Sequence, residues 1–480
     1  MSTLIDIKYA IRLLYKSPKF TAMTLAVLIG GLSISLFTFS FLYSVVYKAL
    51  PIPEGETALS VSVFEDGQYD LITGHEYANV KDQLTSFAEF GIYINRDIRL
   101  SIEQSGKGID GSYVRAGFFE FSRTQPIIGR TINANDTKVG AEPVALISHQ
   151  VWQDELNGTQ DVLTETLILN GQITHIIGVM PKGYRFPNKE QLWLPLSDDV
   201  LKETPDTTVS YYAFGRINST SNLAQAELEL SQAVSQIHQS NVKLYNLPDV
   251  EKVAKLMTFQ MAQTAGQGTV VFAFLNTISW LIMLLACINV GNLLFARTIE
   301  RQKETAIRAA LGAKTKRLVS QLMWEGTLIT CLGALLSVLL VAAVLDYTEV
   351  VLSSWLPNGG ACWWNYGMDS ETLAMAILFT LVTILLSTFL PAWRSANQDI
   401  NLVLRDGTRG AQSKKSGRFS RILVTTQVFL VAVLMLIGSI SAFIAHKFIN
   451  IDMGDNYQDV MMARFSIPEL KYTDEQQQLG

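Results

Sequence analysis

Cysteine is nearly absent from this 480-residue sequence: Cys287, Cys331 and Cys362 are the full set. Two of them fall inside long apolar runs, which excludes a disulfide framework as the organising element. Histidine is as sparse, with His75, His149, His175, His238 and His446 scattered along the chain. His75-Glu76 opens like a zinc-protease helix motif, but position 79 is asparagine, so the second ligand is missing. A phosphate-binding loop is lacking too. Gly106-Lys107 is followed by glycine instead of Ser or Thr, and no glycine stands at the required distance before it. The chain by itself therefore does not bind ATP in the Walker manner, and no cofactor, metal or catalytic constellation is implied. A formal net charge of −5 lacks the basic footprint of a nucleic-acid binder.

What is present in quantity is apolar sequence gathered into long runs. Crossing a hydrocarbon core of about 30 Å takes about 20 mostly apolar residues. Five stretches qualify: 20–47, 271–296, 322–345, 373–393 and 422–446. No convincing small-residue cleavage site follows the first, so it reads as a retained anchor. Lys and Arg mark the cytoplasmic flanks. Lys8, Arg12, Lys16 and Lys19 precede the first span, seven basic residues lie between the second and third, and seven more between the fourth and fifth. The connection from Asp346 to Glu371 has neither Lys nor Arg.

This alternation predicts a cytoplasmic segment 1–19, a large outer domain 48–270, a cytoplasmic segment 297–321 and a short outer loop 346–372. A cytoplasmic linker 394–421 and an outer stretch 447–480 complete the order. The fold class is thus a multi-span α-helical membrane protein with an extracytoplasmic α+β domain inserted between the first two transmembrane helices. Four spans carry no Asp, Glu, Lys or Arg; Glu325 stands near the cytoplasmic end of the third, within reach of the interface. Ion-coupled carriers place ionisable groups at mid-membrane, so a secondary transporter and a polar conduit are both disfavoured. Gly31 with Ser35, and Gly333 with Ser337, supply small residues at i and i+4, a spacing that favours close helix packing and also recurs by chance.

Within the outer domain, Pro143–Ser148 (PVALIS) reads as a short buried strand. Residues 166–177 read as a hairpin turning at Asn170-Gly171, a pair suited to a type I′ turn. Ser219 or Thr220 is the expected cap of a helix carrying Leu223, Ala226, Leu230, Ala233 and Ile237 on one face.

The segment from Arg297 is charged and then amphipathic, a pattern that alone describes a basic helix on a membrane surface. Its residues say more. ERQKETAIRAALGAKTKRLVSQLMWEG resembles the signature of FtsX/MacB-type ABC transporter permeases through Arg301, Glu304, Ile307, Arg308, Leu311, Gly312, Ala313 and, further on, Glu325. PAWR at 391–394, Asp399-Ile400 and LRDG at 404–407 are similar to that family's closing motif. Phe118-Phe119, Gly129-Arg130, PVAL at 143–146, Val151-Trp152, LNG at 169–171, GVMP at 178–181 and WLPL at 193–196 follow in the order found in MacB-like periplasmic domains. AIRLLYKSPKF at 10–20 resembles the opening of the duplicated, ADOP-type permeases, and residues 418–454 look like the start of a second copy, which implies a truncated or partial chain.

The resemblance implies a non-catalytic inner-membrane permease subunit whose ATPase is a separate protein. It would transmit nucleotide-driven motion to the outer domain for export or efflux-type work. Arg301, Glu304, Ile307, Arg308, Leu311, Gly312 and Ala313 would dock on the ATPase; for Glu304 and Arg308 an intrahelical pair is the equal alternative. Other expected partners are membrane lipid, a second permease chain or half, and periplasmic proteins. The rival reading is a membrane-anchored receptor or envelope scaffold without ATP coupling.

Overall fold

The computed structural model describes residues 2–102, 105–207, 209–245, 248–300, 315–355, 360–389, 392 and 414–450. The chain divides into two compact units. Among the described residues, one is helical and takes those up to Tyr43, Val271–Val350 and those from Tyr366 onward; the other is mixed and takes Ser44–Val270 with Val351–Asn365.

The helical unit opens with α1 (Ser2–Lys16) and α2 (Pro18–Val46). Pro18 stands at the first position of α2, where its missing N–H costs nothing. The other long helices are α8 (Gly268–Glu300), α9 (Thr315–Trp355), α10 (Ser370–Thr383) and α11 (Lys414–Ile449). A wider π turn, Ile384–Phe389, continues α10. Among the described residues five helices are long and apolar enough to cross a membrane. Leu28 and Leu32 of α2, Met283, Cys287 and Val290 of α8, Ile329 of α9 and Phe379 of α10 form one buried cluster. Of the described α11 side chains only Leu430 is buried.

The mixed unit is built on one sheet. Its strands are β1 (Leu59–Glu65), β2 (Gln68–Asp70), β3 (Ile72–Thr73), β4 (Phe87–Ile102), β5 (Ser105–Val114), β6 (Ile128–Gly129), β7 (Val144–Ile147), β8 (Thr166–Leu169), β9 (Gln172–Val179), β10 (Leu192–Pro195), β11 (Ser210–Ile217) and β12 (Lys252–Met257). The order runs β12-β1-β11-β4-β5-β10-β7-β9-β6. The long β4–β5 hairpin, in register from Tyr93↔Val114 to Ile102↔Ser105, joins two lobes. In one lobe α3 (Gly74–Val80) and α6 (Leu223–Tyr245) cover the sheet through Val80, Ala226, Leu230 and Val234. In the other, α5 (His149–Leu156) lies in the crossover between the parallel strands β7 and β9.

The PVALIS strand is β7, and the predicted hairpin is β8–β9. Asn170 at φ 50° and Gly171 at φ 82° have the paired positive angles that a type I′ turn needs. The helix expected after Ser219 is α6, with a different cap. Asn222 Oδ1 accepts from Gln225 N at 2.9 Å, and Gln225 Oε1 accepts from Asn222 N at 3.3 Å. Asn218 Oδ1 has already engaged the Thr220 and Ser221 N–H groups, so the chain is still turning at the two residues the sequence favoured.

A third core is aromatic. Phe118, Phe119 and Phe121 of α4 (Phe118–Phe121), Phe186, Trp193, Phe214, and Phe259 of α7 (Phe259–Gln263) are buried together with Leu50 and Ile52, and Ala361 and Trp363 join them. The connection expected as an outer loop at 346–372 is thus, from Gly360 to Asn365, part of the mixed unit. Cys362 N donates to Asn188 O, and Ser44 Oγ donates to Asn365 O at 3.2 Å.

Candidate coupling region and helix seams

Arg301, Glu304, Ile307, Arg308, Leu311, Gly312 and Ala313 lie outside the described residues. The structure does describe both flanks of that segment, the end of α8 and the start of α9. Arg297, in the last described turn of α8, has its Nε 2.9 Å from Glu325 Oε1 on α9. Both side chains are nine-tenths buried or more, with Arg297 7% and Glu325 5% exposed. The same guanidinium donates from Nη2 to the Leu13 carbonyl of α1 at 3.2 Å and lies over the Phe20 ring of α2, 4.4 Å from its centroid. Nearby, Gln321 Nε2 donates to Asp6 Oδ1 at 3.2 Å, and Asp6 is buried. Glu325 therefore does not reach outward to an interface as expected; it is held inside by a cation. A buried charge is retained only with a partner and hydrogen bonds, because desolvation otherwise costs several kcal/mol. Arg297 was visible in the sequence only as one of the basic flank residues, and the lone acid of the third span was the signal that it needed a partner.

Of the small residues singled out in the sequence, both glycines sit on helix contacts. A Cβ built at Gly31 would lie 2.3 Å from Ala286 Cβ, and one at Gly333 would lie 2.9 Å from Leu28 Cβ. Ser35 Oγ donates to Ser279 O at 2.9 Å, and Ser279 Oγ donates to Ser35 O at the same distance. Ser337 Oγ donates to Gly333 O at 2.8 Å, within its own helix. Ser40, Thr372, Thr383 and Gly326 make further close contacts that the spacing rule did not single out. The hydroxyls of Ser35, Ser279, Ser337 and Thr383 donate to helix carbonyls, and that of Thr372 donates to Ser40 Oγ, so these polar atoms are satisfied without water.

In the mixed unit the charged groups are structural. Arg216, 5% exposed, donates to Glu89 Oε2 at 3.2 Å, Glu54 O at 2.9 Å and Phe121 O at 2.9 Å, and also to Thr57 Oγ1. Glu76, the acid of the His75-Glu76 pair, caps α3 by accepting from Thr73 N at 3.0 Å and pairs with Lys252 at 2.8 Å. Glu190 is buried beside the Phe186–Trp193 core, and burial pushes its carboxyl up to about 7 despite a bond from Asn188 N at 2.7 Å. Burial likewise pushes the Cys362 thiol upward.

Residues 21–233 match the MacB-like periplasmic core domain, and residues 276–400 match the FtsX-like permease C-terminal domain. The chain carries both domains of the FtsX/MacB-type ABC transporter permeases and belongs to that family. It is 24% identical over 310 residues to the macrolide export ATP-binding/permease protein MacB of Salmonella typhi, covering 62% of this chain and 43% of MacB. It is 23% identical over 347 residues to the uncharacterized ABC transporter permease YknZ of Bacillus subtilis, covering 71% and 79%. The periplasmic region of MacB from Actinobacillus actinomycetemcomitans aligns at a TM-score of 0.33 and 14% identity, over 43% of this chain and 91% of that one. The extracellular domain of YknZ from Gram-positive bacteria aligns at 0.32 and 14%, over 41% and 99%. The chain spans under half the length of the MacB proteins it matches, and MacB's ATP-binding domain is not in the matched part. The mixed unit is accordingly a large periplasmic α+β domain, and the apolar helices are membrane spans.

Proposed function

We propose that this chain is the membrane subunit through which a separate cytoplasmic ABC ATPase moves the periplasmic domain, in export or efflux-type work, with the N-terminus in the cytoplasm. The observation that carries the reading is the interior of the helical unit. Among the described residues its buried charged groups are Asp6 and the Arg297–Glu325 pair, while the cluster at its centre is Leu28, Leu32, Met283, Cys287, Val290, Ile329 and Phe379. Such an interior offers no hydrated route for cargo and suits the transmission of motion. The family and MacB's name support an ATPase partner, and the basic residues flanking α2, α8 and α9 support the orientation. In this reading Arg301 and Arg308 orient the docking charge, and the small residues beside Leu311, Gly312 and Ala313, allow close approach.

Affinity capture of the detergent-extracted chain tests this. An ABC ATPase should be recovered with the native sequence and lost with Arg301→Glu/Arg308→Glu. Recovery of no ATPase in either case overturns the proposal.

A further inference from the structure

We infer that Arg297 is a positioning residue: it pins the bases of α1, α2, α8 and α9 together, so that force entering the segment between α8 and α9 moves four helices as one body. The inference rests on the coupling reading above. Four observations converge on one side chain. Arg297 belongs to α8, its Nε meets Glu325 of α9 at 2.9 Å, its Nη2 meets the Leu13 carbonyl of α1 at 3.2 Å, and its Cζ lies over the Phe20 ring of α2, 4.4 Å from the centroid. Residues 298–324 leave and return to this pair, so it closes the coupling segment at its root. Gln321 adds a second tie from α9 to α1 through Asp6.

The energetics point to geometry as its purpose. A buried ion pair about breaks even against apolar residues of the same volume, so net stability is a poor reason for one here. What a guanidinium supplies is a rigid planar fork with five donors, able to address a carboxylate, a carbonyl and a ring face at fixed angles. Lysine offers a point charge on a flexible stem and would keep the Glu325 attraction while losing the simultaneous grip on Leu13 and Phe20.

The full-length chain, reconstituted with the ATPase that copurifies with it, provides the test. In Arg297→Gln, amide exchange along Tyr9–Lys16 of α1 should accelerate at least tenfold, with the β4–β5 hairpin as an unchanged reference. ATPase recovery should stay at the native level, whereas the ATP-dependent signal of a fluorophore on the periplasmic domain should fall at least fivefold. Arg297→Lys should give an intermediate signal. Glu325→Gln should resemble Arg297→Gln and covers the case in which that variant fails to insert. Exchange along α1 within twofold of native, or an undiminished ATP-dependent signal, overturns the inference. If no ATPase copurifies with the native chain, the coupling reading falls while the exchange measurement still decides whether Arg297 pins α1.

Discussion

Replacing Gly31 with alanine adds one methyl group, and the structure says where it must go. The new Cβ would sit 2.3 Å from Ala286 Cβ. An ordinary carbon–carbon contact is about 3.5–4.0 Å, so α2 and α8 must separate locally by about 1.5 Å. One turn along, the two reciprocal Ser35–Ser279 bonds are 2.9 Å each. Stretched by that separation, both pass out of hydrogen-bond range. Interhelical hydrogen bonds in bilayers average about 0.6 kcal/mol, and overpacking a close contact costs about 1–3 kcal/mol. The sum is about 2–4 kcal/mol. Chemical unfolding of the detergent-solubilised chain, followed by tryptophan fluorescence, measures it. The decisive variant is the double, Gly31→Ala/Ala286→Gly, which moves the methyl from one helix to the other. It should recover most of the loss, giving a coupling energy above about 1 kcal/mol between two positions in contact. Single-variant stability within 0.5 kcal/mol of native (roughly the limit of additivity), or a double variant no better than the single, would refute the seam.

Glu190 makes stability depend on pH in an unusual direction. Its folded carboxyl titrates near 7 and its ordinary value is 4.5, so the folded state holds a proton that the unfolded state releases between those values. Stability is then full below 4.5 and lost as pH rises to about 7, by on the order of 3 kcal/mol at about 1.4 kcal/mol per unit. Glu190→Gln should flatten that fall; parallel melting curves for the two proteins across this range would count against the buried proton. Arg216→Met leaves the Glu54 and Phe121 carbonyls without their shared donor, while Glu89 keeps Arg123 Nη1 at 2.7 Å, so the cost is that of unmade buried hydrogen bonds, about 1–3 kcal/mol. Limited proteolysis should show the periplasmic domain of that variant cut far faster than native, and an unchanged cutting rate would show the Arg216 network to be dispensable.

The parts of the fold legible in the sequence are those set by local rules. The β8–β9 turn needed two positive φ angles, and Asn170-Gly171 is a pair that supplies them cheaply. The register of α6 followed from its apolar spacing, but its cap did not, because Asn218, Ser219, Thr220 and Asn222 all compete to accept the same few N–H groups. The long β4–β5 hairpin was hidden, since Asn95, Arg96, Asp97 and Arg99 interrupt the alternation that marks a strand. Burial of Trp363 in the periplasmic core was hidden for another reason: its neighbours there, including Phe118 and Trp193, are remote in sequence.

The candidate coupling region shows the same division at closer range. Composition and spacing placed a charged segment between two spans, and the family resemblance gave it a role. The Arg297–Glu325 contact was hidden because it joins two helices. The apolar span of α9 begins at Met323, so Glu325 does stand near its end, as its place in the sequence implies. Its side chain nevertheless packs inward: Glu325 is 5% exposed, and Arg297 Nε of α8 lies 2.9 Å from its Oε1. A buried carboxylate is retained only with a partner, and the spacing within one span does not name the residue of another that supplies it, which is why the sequence showed both residues and not the bond between them.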